Sequence, residues 1–420
     1  MPTVTPRAPA RPGRPGARTR TARRAASFAL DASILAALLA ASSAPTPLYP
    51  RYQDAWALSA FTVTVVFSAY SLTLLLALLT TGALSDHLGR RPVLVGALLL
   101  EAASMVLLAT ADGAGALIAG RILQGAATGA ATSAAGAALL DLQDPLRPGR
   151  SALTNSIAPV AGMAVGVLVS TLLVRFAPAP TVTVYVLLAV LFVAQAIAVT
   201  FTAETARTHP GALRSLRPRL AVPPPARSAL LVVGTAVVAV WALGGFYSSL
   251  GPALVHLAAP GASQAAGGMV FFVLTAAATL TVWTLRCTAP RAAATGGSLA
   301  VVPAAALSLL GLHGSGLPAV YGGAALAGVA FGAVSQGALR MTLASLDERD
   351  RAATLAAYYV LSYLSMSLPA VAAGAATRQY GLAAAAHAYV AATALLAAAA
   401  LAALAVPRRG AARNAHDDLP

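Results

Sequence analysis

Charge is rare in this chain, and where it interrupts apolar sequence its spacing is specific. The run Gly82-Ala83-Leu84-Ser85-Asp86-His87-Leu88-Gly89-Arg90-Arg91 compresses an acid, two glycines and two arginines between two long apolar segments. Asp86 can accept charge-assisted hydrogen bonds from Arg90, or sit against the positive N-terminal end of a neighbouring helix. Gly82 would let another backbone approach, Gly89 would permit a tight reversal, and Arg90 and Arg91 would hold the turn at one membrane face. Asp31, Glu101 and Arg121 fall inside apolar segments. Ionisable groups there are costly and by default carry function, and a carboxyl held out of water can take up and release a proton. The two acids are the candidates for proton coupling, and Arg121 should face a cavity or a partner.

Other chemistries lack their residues. There is no HExxH, no GxSxG and no cluster of acids at one membrane face, so an enzyme, even a polytopic one, has no support. All 28 basic Lys/Arg positions are arginine, which removes the P-loop lysine and any ATPase site. With Cys287 as the one cysteine, neither an internal disulfide nor a Cys/His metal cluster is expected. No cofactor is expected; the energy source would be a proton gradient. A sensor would be expected to carry a sizeable soluble output domain, and neither tail provides one.

The elements that must hold these residues are membrane helices. The 420 residues are 58% hydrophobic and 10% charged, against about 25% charged in soluble domains, so the lipid bilayer is the main partner. Apolar segments of spanning length fall at 27–49, 58–84, 92–110, 114–140, 151–174 and 181–203, then at 228–254, 264–286, 292–312, 317–345, 352–376 and 380–406. The expected architecture is all-α: twelve transmembrane helices in two six-helix bundles, 26–203 and 228–406. A disordered basic tail (1–25), a polar central loop (204–227) and a short tail (407–420) complete it. Arg23-Arg24 before an apolar run imitates a twin-arginine signal, but that run is long enough to span.

With the N-terminus inside, 24 of the 28 arginines lie in the tails and cytoplasmic loops. Only Arg51, Arg175 and Arg378 fall outside, as the positive-inside rule requires. Both termini are expected in the cytoplasm of a bacterial cell whose plasma membrane holds the protein. Basic residues so dispersed do not make a nucleic-acid face. The halves also repeat weakly at an offset of 201: Leu84 falls on Leu285, Arg90 on Arg291 and Arg150 on Arg351, while Pro50 and Pro252 are expected to close the corresponding first helices. Such repeats place a substrate site at their interface.

The pattern Gly82-x-Leu84-x-Asp86-x-x-Gly89-Arg90-Arg91 resembles the loop 2–3 signature of the major facilitator superfamily, departing only at His87, where a basic Arg or Lys is usual. The resemblance covers the whole chain. It implies that Asp86 locks the second helix against the eleventh in the outward-open state and releases it as the halves rock. The counterpart in the second half has Cys287 at the Asp86 position and Pro290 at the Gly89 position. Arg121-Ile122-Leu123-Gln124-Gly125 resembles the family's fourth-helix signature, in which the arginine is tied to proton coupling, and Gly129 completes a small-residue spacing. Gly162 and Gly166 match the start of the fifth-helix antiporter motif, but Val167 and Ser170-Thr171 replace its proline and final glycines, leaving helix packing as the favoured role of those glycines.

Tyr70, Asn155, Trp241, Tyr247, Gln336, Tyr359 and Tyr363 are the candidates for a substrate cavity. As a set they suit an amphipathic or lipophilic small molecule better than a sugar. The sequence thus points to a monomeric, proton-coupled secondary transporter of the drug and metabolite antiporter branch, exporting organic molecules, with proton symport of a small nutrient as the rival.

Overall fold

The computed structural model describes residues 15–405 except 145, 148, 207, 219–221, 223 and 345. The helix α1 runs over Pro15–Ser43. Proline suits a first helical position, and the Ala/Arg-rich stretch after it has high helix propensity. Residues 15–25, expected as part of a disordered tail, therefore continue the first helix; residues 1–14 of that tail and all of 407–420 lie outside the described residues.

A 3₁₀ turn (Thr46–Leu48) and the short α2 (Tyr49–Trp56) lead into α3 (Ala60–Thr81). Ser59 caps α3, its hydroxyl accepting from the Thr62 N–H at 3.1 Å. Next come α4 (Leu84–Leu88), α5 (Arg90–Ala109), α6 (Ala114–Asp141), α7 (Arg150–Phe176) and α8 (Pro180–Thr200). Within the central loop, α9 (Ala212–Ser215) forms a single turn, and α10 begins at Pro224. The second half consists of α10 (Pro224–Ala258), α11 (Gln264–Thr284), α12 (Pro290–Leu310), α13 (Gly316–Leu343) and α14 (Glu348–Ala405), with a 3₁₀ turn at Leu285–Cys287 and a π turn at Gly311–Ser315.

Ten stretches of helix among the described residues are long and apolar enough to cross a membrane. One of them lies in α14, which reverses at Gly381 (φ 78°, ψ 164°) and so holds two spans. To these α6 adds a 28-residue helix whose Arg121 and many small residues lower its hydropathy. Twelve spans in two sets of six result. Pro252 does not close a helix: α10 runs past it to Ala258, and α1 ends at Ser43, before Pro50.

Within the first half, helices meet backbone to backbone at small residues. A Cβ on Gly129 would stand 2.6 Å from the Ala77 Cβ and 2.7 Å from the Leu74 carbonyl of α3, and Gly125 meets Thr73 and the Tyr70 carbonyl. Gly162 and Gly166 of α7 rest on the Ala36 and Ala40 carbonyls of α1. In lipid, where burial of apolar surface gives no drive between helices, such close approach is what packing depends on.

The halves meet along α3 with α14 and α7 with α11. The contacts gather toward the face opposite the termini. Gly268 packs on Thr171 and Pro47, and Gly374 on Thr64 and Phe61. Arg378 lies 4.7 Å over the Phe61 ring. Thr46 donates to the Ser248 carbonyl (3.1 Å), and Gln264 to Asp54 (3.2 Å). At the deepest contact Ser68 donates to the Ser367 carbonyl at 3.2 Å, and the Ser71 and Ser367 hydroxyls share a hydrogen bond of 2.6 Å. Among the described residues, no hydrogen bond or ion pair joins α3 to α14 nearer the terminal face. This conformation is closed at the face opposite the termini.

Candidate functional site

The turn 82–91 is built by α4 and the start of α5. Arg90 is its hub. Its Nη1 lies 2.5 Å from Asp86 Oδ1, four residues back, and donates to Ser85 Oγ at 2.6 Å. Its Nε reaches Asp141 Oδ2, at the end of α6, at 3.2 Å. The first two N–H groups of α5 point at one carboxylate: Arg90 N to Glu204 Oε1 (2.8 Å) and Arg91 N to Glu204 Oε2 (3.0 Å). Glu204 thus caps α5 from across the half, where a negative charge also complements the helix dipole. Partial burial pushes its carboxyl up, but hydrogen bonds from the N–H groups of Ala206, Arg90, Arg91 and Thr205 outweigh this and hold it below its ordinary value. Gly89 is required twice over: its φ is +103°, and a Cβ there would stand 2.7 Å from Glu204 Oε2.

Asp86 is 53% exposed and, among the described residues, makes no ion pair with α14. Gly82 differs from expectation. Beyond its own helix, the nearest atom to a Cβ there is Ser133 Oγ at 3.9 Å, so no other backbone uses the space in this conformation. Leu84 packs against the first-half core.

The second cluster lies in the bilayer region between α3, α5 and α6. Arg121 is 1% exposed. Its guanidinium carbon lies 4.1 Å from the Tyr70 ring centroid, and its Nη1 donates to Gln124 Oε1 (2.5 Å) and the Ser42 carbonyl (3.2 Å). Glu101, fully buried, accepts from Thr128 Oγ1 at 3.1 Å. Arg121 Nε and Nη2 have no hydrogen-bond partner among the described residues, whereas Glu101 also lies within reach of Gln124, and the Tyr70 hydroxyl within reach of Ser42 and Thr128. A buried arginine with two unpartnered nitrogens is costly unless something polar joins it during the working cycle.

Across from this cluster the second half presents aromatic rings. Trp241 packs against Phe331 (5.2 Å between centroids) and Tyr363 (5.3 Å), and Tyr363 against Tyr359 (6.2 Å). Tyr363 is one turn before Ser367, which bonds Ser71 beside Tyr70, so the two clusters approach where the halves meet. Gln336 Oε1 is also buried without a partner among the described residues, and Trp241 lies within hydrogen-bonding reach of Tyr358.

Two cavity candidates are placed elsewhere. Tyr247 is fully buried with its hydroxyl 2.5 Å from Ser308 Oγ, so it ties α10 to α12 inside the second half. Asn155 donates to the Gly136 carbonyl (3.2 Å), packing α7 on α6. Asp31 is 6% exposed, one turn deeper than Phe28, whose ring carries Arg150 at 4.5 Å. It is separate from the Arg121 cluster.

Sequence reasoning did not find Glu204, Asp141 or Arg24, although all three organise the terminal face. Arg24 donates to the Asp141 (3.2 Å), Leu142 (3.4 Å) and Gln143 (3.0 Å) carbonyls that end α6. A cation beside a helix C-terminus is a readable signal, but its helix lies 117 residues away.

The comparisons agree with this architecture. Residues 32–285 match the family model described as Major Facilitator Superfamily. No curated protein matches the chain. Among solved structures, a bacterial homologue of the human lysosomal transporter Spinster, in an inward-facing and unoccupied conformation, superposes with a TM-score of 0.71 at 13% identity, covering 91% of this chain and 97% of that one. The human organic anion transporter MFSD10 gives 0.66 at 20% identity (90% and 99% covered), and the nucleoside transporter NupG 0.68 at 13% (90% and 100%). These likenesses show a shared fold. The family match and the helix architecture make this a multi-pass membrane transporter of a small-molecule substrate and not an enzyme: the chain belongs to the major facilitator superfamily.

Proposed function

We propose that the protein is a proton-coupled exporter of drug-like or metabolite-like organic molecules, working by rocking of 26–203 against 228–406, with both termini in the cytoplasm of a bacterial cell and the protein in its plasma membrane. The observation that carries the reading is the pairing of two unlike surfaces where the halves meet. One holds the buried, incompletely bonded Arg121 with Gln124 and Glu101 beside Tyr70; the other is the ring cluster of Trp241, Phe331, Tyr359 and Tyr363. An amphipathic molecule satisfies both, its apolar body on the rings and its polar group on the unpartnered Arg121 nitrogens. Glu101 is the carboxyl placed to exchange a proton with that event, and Asp31 a second one nearer the terminal face. The degenerate fifth-helix motif supports export less strongly, because Gly162 and Gly166 are occupied in packing on α1.

A second reading, symport of a small nutrient, is favoured by Arg121 alone, since a lone buried cation suits a carboxylate-bearing metabolite. Cells with and without the protein distinguish the two when loaded with a fluorescent lipophilic dye. Export predicts lower dye accumulation in expressing cells, abolished by a protonophore. In proteoliposomes, Glu101→Gln should remove flux driven by an imposed pH gradient while substrate-for-substrate exchange persists. Dye levels indifferent to both protein and protonophore would rule out the export reading.

A further inference from the structure

One pair of side chains outside both clusters is arranged with unusual economy. At the face opposite the termini, α12 passes into the π turn Gly311–Ser315, a wide turn of a kind that recurs at functional sites. It carries His313 outward to meet His387, which stands on the last span just after the reversal at Gly381. His313 is exposed and His387 half-buried.

Their tautomers follow from their partners. His313 Nδ1 is 2.8 Å from the Leu309 carbonyl, and His387 Nδ1 is 2.6 Å from the Ala383 carbonyl. A carbonyl oxygen only accepts, so each Nδ1 carries the hydrogen and each Nε2 of a neutral ring presents a lone pair. The two Nε2 atoms then face each other at 3.3 Å, with the rings nearly perpendicular at 82°. Two converging lone pairs repel unless a positive centre stands between them. Two Zn–N bonds of about 2.0–2.1 Å at a tetrahedral angle place their nitrogens ~3.3 Å apart, which matches the spacing observed here. Fixing each ring through Nδ1–H to a backbone carbonyl is also how metal-binding histidines are oriented.

We propose that His313 and His387 form a two-histidine site for a divalent transition metal ion, with zinc the best geometric fit. Among the described residues no group of three or more His, Cys, Asp or Glu is gathered for a metal. The remaining coordination positions are open to water or to a solute carboxylate, and the site is one of modest affinity. Both ligands belong to the second half, so the ion staples the end of α12 to the last span and leaves the rocking of the halves free.

The test uses the full-length, untagged protein in detergent, titrated with zinc chloride by calorimetry and by thermal unfolding. The expected result is one zinc per chain, a midpoint that rises with zinc concentration as mass action requires, reversal by a chelator, and loss of binding on acidification as protons compete for the lone pairs. His313→Ala and His387→Ala should each weaken zinc binding by more than about tenfold, while the metal-free protein still unfolds cooperatively near the wild-type midpoint, since His313 is exposed and His387 half-buried. Zinc affinity equal in wild type and both variants would place the metal on another site and overturn the proposal. A wild type that binds no zinc, or whose midpoint responds to pH and never to zinc, would overturn it too, leaving a shared proton as the link between the rings.

Discussion

The two inter-helix turns at the terminal face occupy corresponding places in the two halves and hold them by different chemistry. In the first, Arg90 is shared among Asp86, Asp141 and Ser85, and Glu204 caps α5. In the second, arginines are spent on backbone carbonyls: Arg340 donates to those of Arg286 (3.3 Å) and Thr288 (2.9 Å), and Arg291 to that of Leu404 at the end of α14. Arg91 makes the equivalent bond to Thr200 at the end of α8. By this contact Arg291 matches Arg91, and Cys287 stands at the Asp86 position. Arginine-to-carbonyl bonds cap helix ends and have no partner to exchange. A carboxylate–guanidinium pair as exposed as Asp86–Arg90 is worth about 0–1 kcal/mol, so it can be given up cheaply when Asp86 finds another partner. On the proposed rocking cycle, the first turn would exchange its charge partner, while the carbonyl caps of the second would stay in place.

The sharpest way to break this comparison is to remove the exchangeable charge. Asp86→Asn should leave expression and thermal midpoint near wild type while transport falls by more than about tenfold, the scale of 1.4 kcal/mol or more in the balance between states. Flux at the wild-type level in that variant would mean that the Asp86 pair has no part in the cycle. Gly89→Ala attacks the frame instead of the charge. A methyl at φ +103°, facing Glu204, should cost about 1–3 kcal/mol, seen as a lowered midpoint with transport reduced in proportion to folded protein. Pro290, at the corresponding place, begins α12 with no such strain, and Pro290→Ala should move the midpoint far less.

How much of this was legible beforehand follows from what each feature depends on. Spans depend on local hydropathy, so twelve were readable, and Arg121 and Glu101 stood out because an ionised group in an apolar run is costly wherever the run folds. The pairing of Asp86 with Arg90 was readable because four residues is one helical turn. Glu204 was not, because its partners lie 114 and 113 residues away and its carboxylate caps a helix it does not precede. Pro252 misled because a proline closes a soluble helix more readily than a membrane one, where neighbours re-satisfy the freed backbone. Arg24 seemed part of a disordered tail because composition says nothing of the α6 carbonyls it would meet. The two clusters at the junction of the halves were foreseen as separate residues and are brought together where α3 crosses α14 and meets α10.

Glu204 gives a smaller effect with a distinctive pH signature. Its carboxyl is held below the ordinary value of 4.5 by the backbone N–H groups it accepts from. A depressed folded-state value means stability that is present above 4.5 and lost as the pH falls through the lower folded value. Glu204→Gln removes the charge and keeps the shape, so it should lower the midpoint at neutral pH by the equivalent of about 0.5–2 kcal/mol, the range for a lost helix cap. The gap between variant and wild type should then close as both are acidified below pH 4.5. A gap that stays constant through that range would mean that the carboxylate is not what caps α5.

The smallest effect is expected where the second turn is given back its missing acid. Cys287 is exposed and ends a 3₁₀ turn whose neighbouring carbonyls are already taken by Arg340. Cys287→Asp places a carboxylate at the Asp86 position without the rest of the device: no glycine reverses the chain at 290, and Arg291 already caps Leu404. An exposed new charge of this kind should change the midpoint by less than about 0.5 kcal/mol in equivalent stability, with transport within twofold of wild type. The comparison turns on that indifference. If Cys287→Asp instead altered the transport rate severalfold, the second turn would still be able to switch, and its lost acid, not its carbonyl caps, would explain why it holds.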